Sequence, residues 1–169
     1  MTKPSRWVME ILNDFHHYST LIDVACGKGR HVKKLMRRFK VTAVDYDVEA
    51  LKEFKKLKNV EVINQDLEDE SDWVFLNRKF DVVLITNYLF RKKTKDLFKL
   101  VNDNGLIVYE TFGVGNEKFG KPKNPNYLLK EKELLNFMPK SFRVLNYFHG
   151  QVKFPKPSII QRLAAVKVF

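Results

Sequence analysis

Cysteine is almost absent from this 169-residue chain: the single one, Cys26, can form no internal disulfide and supplies no multi-thiolate metal site. That excludes a disulfide-stapled scaffold and a cysteine zinc centre, and fits a reducing, cytoplasmic setting. Long apolar runs are missing too. Nowhere do apolar residues extend far enough to span a bilayer, and Met1-Thr2-Lys3-Pro4-Ser5-Arg6-Trp7 lacks the apolar stretch of a signal peptide, so a soluble protein without a membrane partner is expected. Acids are outnumbered by bases, 20 to 31, for a formal net charge of +11. Such a charge attracts nucleic acids, anionic surfaces or small anions, but it governs steering and solubility rather than fold. The bases are scattered, as in Lys33-Lys34, Lys55-Lys56 and Arg91-Lys92-Lys93, and form no arm or tail. A lysine-rich solvated surface therefore accounts for them more simply than a nucleic-acid interface does. There is no internal repeat. What is present is 44% hydrophobic residues, enough for one compact domain and too little for two ordinary ones.

The chain is organised around Leu21-Ile22-Asp23-Val24-Ala25-Cys26-Gly27-Lys28-Gly29-Arg30-His31, an apolar run that breaks into small residues and then opens a basic amphipathic segment. This reads as strand, glycine turn, helix. Glycines there let the backbone bend and approach a ligand, and the following helix would offer unpaired N–H groups. Before it, Trp7, Val8, Ile11, Leu12 and Phe15 recur at helical spacing over residues 5–18, with His16 and His17 near the expected helix end. After it, Val32, Leu35, Met36 and Phe39 form the apolar face of a crossover helix. A second strand over 41–44 ends in Asp45-Tyr46-Asp47, with Asp47 placed to cap a helix carrying Leu51, Phe54 and Leu57. A third strand over 60–65 ends in Asp66.

The acidic patch Glu68-Asp69-Glu70 with Asp72 leads to Trp73-Val74-Phe75-Leu76, a short helix or loop with a buried anchor. Residues 80–86 form a clear buried strand, Leu97, Phe98 and Val101 mark a helix before the turn Asn102-Asp103-Asn104-Gly105, and 106–109 make a fifth strand. From 112 to 127 the pattern dissolves around Gly113, Gly115, Gly120, Pro122 and Pro125, a long connection of the kind that serves as a lid. Helical spacing returns over 130–138, and two strands, over 142–148 and 160–169, finish the chain. Alternating strands and helices imply an α/β fold: one doubly wound, mostly parallel seven-stranded sheet with helices on both faces and the last strand antiparallel. Ligands bind outside the carboxyl ends of such strands, which gathers Cys26, Gly27, Lys28, Gly29, Asp45, Asp66, Asn87 and Glu110 into one crevice.

A dinucleotide site also starts with a glycine turn, and also places an acid after the second strand. Its fingerprint, anchored on Gly27 and Gly29, requires Gly or Ala where Val32 stands, so it fits poorly. The run Asp23-Val24-Ala25-Cys26-Gly27-Lys28-Gly29 instead resembles the D-x-G/A-C-G-x-G signature of class I S-adenosylmethionine-dependent methyltransferases, and Asp45 and Asp66 sit where that family expects acids. The resemblance implies a Rossmann-like fold and S-adenosylmethionine as cofactor. It implies cofactor contacts from Asp23, Ala25, Cys26, Gly27, Gly29, Asp45, Tyr46, Asp66, Leu67 and Asn87: the glycine turn against methionine and ribose, Asp45 on the ribose diol, Asp66 on the adenine amino group. Cys26 is expected as a small residue against the cofactor and not as a nucleophile. The stretch Asn126-Tyr127-Leu128-Leu129-Lys130-Glu131-Lys132-Glu133-Leu134 is similar to one opening the last crossover helix of small bacterial tellurite-resistance-type methyltransferases, although Lys132 stands where glycine is common.

Methyl transfer is an in-line displacement at a sulfonium carbon, which positioning and exclusion of water can drive without a strong base. If a base is used, His31, Tyr88, Glu110 and His149 are the candidates, each with core packing or capping as the plainer role. The expected acceptor is a small molecule or an oxyanion; for an anionic one, Arg91, Lys92, Lys93, Lys118 and Lys121 would steer it in. A nucleic-acid acceptor is the alternative. Thr86-Asn87-Tyr88-Leu89 lacks the two prolines that usually follow the fourth strand in methyltransferases acting on exocyclic base amines. A non-catalytic cofactor-binding protein on this fold is a third reading. A monomer or weak homodimer is assumed.

Overall fold

The computed structural model describes residues 3–168. Seven strands form one sheet in the order β3-β2-β1-β4-β5-β7-β6. They are β1 (Thr20–Val24), β2 (Lys40–Asp45), β3 (Val60–Asn64), β4 (Phe80–Thr86), β5 (Val101–Phe112), β6 (Phe142–Val152) and β7 (Ser158–Lys167). β1 pairs in parallel with β2 and β4, with Ile22 beside Thr42 and Val83. β7 runs antiparallel to both β5 and β6, so the sheet is parallel apart from its last strand, as expected.

Side chains alternate between two apolar layers because the strand period is two. Ile22, Val24, Val44, Val83, Ile85, Ile107 and Tyr109 face one layer with Trp73, Phe75, Leu97, Phe98 and Leu134. Leu21, Val41, Ala43, Val82, Leu84, Leu106 and Val108 face the other with Trp7, Val8, Leu12, Val32, Leu35 and Leu51. The helices are α1 (Arg6–Asn13), α2 (Val32–Leu35), α3 (Val48–Lys52), α4 (Thr94–Lys99) and α5 (Glu133–Phe137). α1 to α3 lie on the second face, α4 and α5 on the first.

The helices are much shorter than their apolar patterns suggest. α1 starts at its Ser5 cap and stops at Asn13, where Arg38 donates to the carbonyls of Leu12 and Phe15 that a longer helix would use internally. His16 and His17 therefore stand beyond its last turn. α2 is a single turn, and its apolar pattern is completed by Phe39 in a following turn. Asp47 caps α3 as expected, accepting from Glu49 N and Ala50 N at 3.0 and 3.1 Å, and Phe54 is buried in the turn after it. No helix forms over 73–76: Trp73 and Phe75 are buried from a turn, with the indole N–H on the Leu67 carbonyl. Val101 belongs to β5 and pairs with Phe80, so 102–105 is an irregularity inside that strand. The helix expected over 130–138 is reduced to α5. The last strand ends at Lys167, and the part of its expected range at Phe169 lies outside the described residues, as do Met1 and Thr2. Among the described residues, no helix is long and apolar enough to cross a membrane.

Candidate functional site

At the carboxyl end of β1 the chain turns through three left-handed residues, Ala25 (φ 56°), Gly27 (φ 53°) and Gly29 (φ 62°). Ala25 holds that conformation at a cost of roughly 1–2 kcal/mol. The two glycines serve different purposes. A Cβ on Gly27 would meet nothing within 4 Å, so this glycine faces open space. A Cβ on Gly29 would lie 2.1 Å from Phe54 Cζ, so the clearance expected there for a ligand is taken by the Phe54 ring. The turn is also no anion cradle. α2 begins only at Val32, and Gly27 N donates to Asp45 Oδ2 at 2.7 Å instead of pointing free.

Carboxylates dominate the crevice. Asp23 is buried on β1 with neither carboxylate oxygen hydrogen-bonded. Burial pushes its pKa up to about 7, with Arg30 opposing and Asp45 reinforcing the rise. A buried charge without a partner is expensive, which marks this position as one completed by a cationic or hydrogen-donating ligand. Asp45, also buried, accepts from Gly27 N and from Asp47 N (3.0 Å), one bond per oxygen, leaving lone pairs free for further donors. Asn64 fixes the backbone there by donating to the carbonyls of Asp45 and Tyr46, a role that only its place at a strand end could have signalled. Tyr46 itself is 74% exposed, its ring lying open beside the acid.

Asp66 stands at the end of β3, exposed, accepting from Glu68 N at 2.9 Å. Leu67 is buried, and Asn87 holds a left-handed φ of 56° after β4 with its N–H on the Glu110 carbonyl. Cys26 is buried, and burial together with Asp23 and Asp45 drives its thiol pKa upward, so it stays a thiol and not a nucleophilic thiolate.

Of the four base candidates, two have side chains committed to structure. His31 is buried and accepts from Ser5 N at 3.0 Å; burial, and then Arg30, lower its pKa to about 3, leaving it a neutral tie between the glycine turn and α1. Glu110 is buried and bound by Arg162 Nε at 2.7 Å. His149 lies half-buried on β6, its backbone paired with Gln161 and its Nε2 against Gly113. Tyr88 is different: its hydroxyl is buried without a partner, and burial followed by Glu68 and Asp66 raises its pKa, so it remains protonated.

Arg91, expected to steer an anion, is spent elsewhere. It grips Glu133 through two bonds of 2.6 and 2.9 Å, and donates to the carbonyls of Asn126 and Leu128. Lys93 donates to the Ser71 carbonyl, while Lys92, Lys118 and Lys121 are exposed. Glu133 also accepts from Lys130 N, and Gln161 holds α5 by accepting from Leu134 N. The glutamate of the 126–134 motif is thus a structural clamp.

A cavity of about 270 Å³ opens beside these strand ends, walled by Tyr88, Leu89, Phe112, Pro122 and Tyr127, with Glu68 among its lining. In sequence Glu68 is one member of an acidic patch, and no local pattern signals the cavity's aromatic far wall, Phe112 and Tyr127, the two ends of residues 112–127. That segment holds two short 3-10 turns, Asn116–Lys118 and Pro125–Tyr127. Its first part is tied down: Gly113 N donates to Ile159 O, Val114 N to Leu129 O, and Asn116 Oδ1 accepts from Ile159 N. A second cavity, of about 350 Å³, lies at the amino ends of β1 to β4, away from the glycine turn. No group of histidines, cysteines and acids suited to a metal occurs among the described residues.

Comparison with known proteins agrees with this geometry. Residues 21–103 match the family model described as methyltransferase domain. No curated protein matches the chain in sequence. The fold is shared with TehB from Haemophilus influenzae (TM-score 0.78, 17% identity, 99% of this chain and 63% of that one). It is also shared with the N-methyltransferase NodS from Bradyrhizobium japonicum (0.73, 11%, 95% and 92%) and an S-adenosylmethionine-dependent methyltransferase from Methanosarcina mazei (0.71, 13%, 99% and 100%). The chain thus spans under two-thirds of the TehB chain. The domain match and these neighbours place the chain's fold among those of methyltransferases.

Proposed function

We propose that the protein is an S-adenosylmethionine-dependent methyltransferase acting on a small-molecule acceptor. The observation that carries the reading is the unpartnered, buried Asp23 beside the open face of Gly27. A cofactor whose methionine end bears an ammonium supplies the missing donor to Asp23, and Gly27 leaves room for its chain. The free lone pairs of Asp45 accept from the ribose diol, the open ring of Tyr46 covers the nucleoside, and Asp66, Leu67 and Asn87 border the adenine and the transferring end. Bound there, the cofactor supplies an electrophilic methyl on a sulfonium. The protein's part is to hold the acceptor in line and keep water out. An acidic cradle repels a pyrophosphate, which disfavours the dinucleotide alternative.

Calorimetric titration with S-adenosylhomocysteine and with NAD tests the reading. Binding of the thioether nucleoside that weakens at least tenfold in Asp45→Ala is expected; binding of NAD alone overturns it. Because residues 113–116 are tied to the strand bearing Ile159, closure over an acceptor is confined to residues 117–121. Protection of that stretch from protease when cofactor and acceptor are both present is the expected sign.

A further inference from the structure

The cavity beside the crevice has an unusual composition for a protein of net charge +11. Among the residues that line it there is no lysine, arginine or histidine, and the only charged one is Glu68. Three of its walls are aromatic, Tyr88, Phe112 and Tyr127. The loop that presents Glu68 holds five of the chain's 20 acids within seven residues: Asp66, Glu68, Asp69, Glu70 and Asp72. The field at this mouth is therefore negative although the molecule is basic. Burial first, and then the like charge of Asp66, raise the pKa of Glu68, and among the described residues no cation pairs with it; Lys93 lies against the same loop but is held by the Ser71 carbonyl. Arg91 cannot pair with it either, being held by Glu133 and two carbonyls.

At about 270 Å³ the cavity lies at the small end of ligand sites, the size of a metabolite and not of a nucleotide chain. We infer that its occupant is a small amine carried on an aromatic or heteroaromatic frame, making the reaction an N-methylation. The frame stacks against Tyr88, Phe112 and Tyr127. The nitrogen is drawn by the acidic mouth and hydrogen-bonds to Glu68. The ammonium first gives a proton to the Glu68 carboxylate, which frees its lone pair; in the transfer that lone pair forms the new N–C bond while the methyl C–S bond breaks, the electron pair stays on sulfur to give neutral S-adenosylhomocysteine, and the product leaves as the N-methylammonium. The Tyr88 hydroxyl, buried and unpartnered, is the second polar group available to orient the acceptor. An anionic acceptor meets the opposite field and finds no cation in the lining.

This inference rests on the methyl-transfer reading, and the test separates the two. S-adenosylhomocysteine binding is measured first. Labelled methyl transfer from S-adenosylmethionine is then measured to 2-phenylethylamine, histamine and 4-aminopyridine, and to 2-phenylethanethiol, phenylacetate, tellurite and RNA. Label in the amines is expected. Glu68→Gln, at an exposed turn position, should lower kcat/KM for the amine tenfold or more, alter its pH profile, and leave S-adenosylhomocysteine affinity unchanged. Phe112→Ala should act mainly on KM. Nucleoside binding with label entering only the thiol, the carboxylate, the oxyanion or RNA, or entering none of the panel, overturns the amine inference alone, as does full activity of Glu68→Gln. Failure to bind S-adenosylhomocysteine overturns both.

Discussion

The buried Asp23 gives the most demanding test, because its pairing state links stability, pH and cofactor affinity. An ordinary aspartate titrates near 3.8, and Asp23 in the fold near 7. With the folded value raised, its contribution to stability is complete below about pH 4 and lost as pH climbs toward 7. At about 1.4 kcal/mol per pH unit, the full loss is about 4 kcal/mol, of which roughly 2–3 kcal/mol falls between pH 5 and pH 8. For a chain of this size that is a Tm decrease of roughly 5–10 °C. Asp23→Asn removes the titration, so the difference in Tm between variant and wild type should move in the variant's favour by that amount across the same interval.

The cofactor's ammonium would bind the ionised form of Asp23, so wild-type affinity for S-adenosylhomocysteine should strengthen roughly tenfold from pH 6 to pH 7.5. The variant should bind weakly, with no such slope. Thermal scans and calorimetry at four pH values suffice. Parallel Tm curves for the two proteins, or a wild-type affinity indifferent to pH, would refute the claim that Asp23 is an unpaired carboxyl awaiting a cation.

The two glycines of the turn should separate in experiment. Gly27→Ala costs about 1–2 kcal/mol from its left-handed φ and abolishes most nucleoside binding, whereas Gly29→Ala drives a methyl into Phe54 and costs about 3 kcal/mol or more in denaturant unfolding. Lys132, exposed at φ 57° before α5, carries strain for no packing return, so Lys132→Gly should raise stability by about 0.5–1 kcal/mol in the same assay. Asp81 accepts from Ser19, Thr20 and Asn102; burial opposes its charge, but those bonds prevail and lower its pKa to about 2. Its stabilisation is present above pH 4 and lost as pH falls toward 2. Asp81→Asn should therefore cost about 1–2 kcal/mol at neutral pH, given its partial exposure, and flatten the acid limb of the stability curve.

Strand positions were legible because they obey one local rule: five apolar-rich runs ending in Gly, Asp, Asn or Glu became β1 to β5. Helix lengths were not. Val32, Leu35, Met36 and Phe39 keep a helical spacing of apolar groups, yet only one turn is helical, since Phe39 reaches the core equally well from the turn that begins β2. Periodicity reports which side chains are buried, and a short chain can bury them without continuing the helix. In the same way Arg38, distant in sequence, ends α1 by taking the carbonyls of Leu12 and Phe15. No local pattern announces such a contact.

Within the site, the places of Asp23 on β1, Asp45 at the end of β2 and Asp66 after β3 were readable because the three acids fall together at successive strand ends, where any one alone would pass for a helix cap or a solvated turn. Partnership was not readable. Arg91 and Glu133 each looked available in sequence, one for an anion and one for a motif, and the fold gives them to each other across 42 residues. With Arg91 held by Glu133, the charge beside the crevice is that of Asp23 and Asp45 at the cradle and Glu68 at the cavity. On the proposed reading a cationic cofactor and an amine acceptor both suit that field, and the transfer would lower the charge held there, since neutral S-adenosylhomocysteine no longer carries the sulfonium.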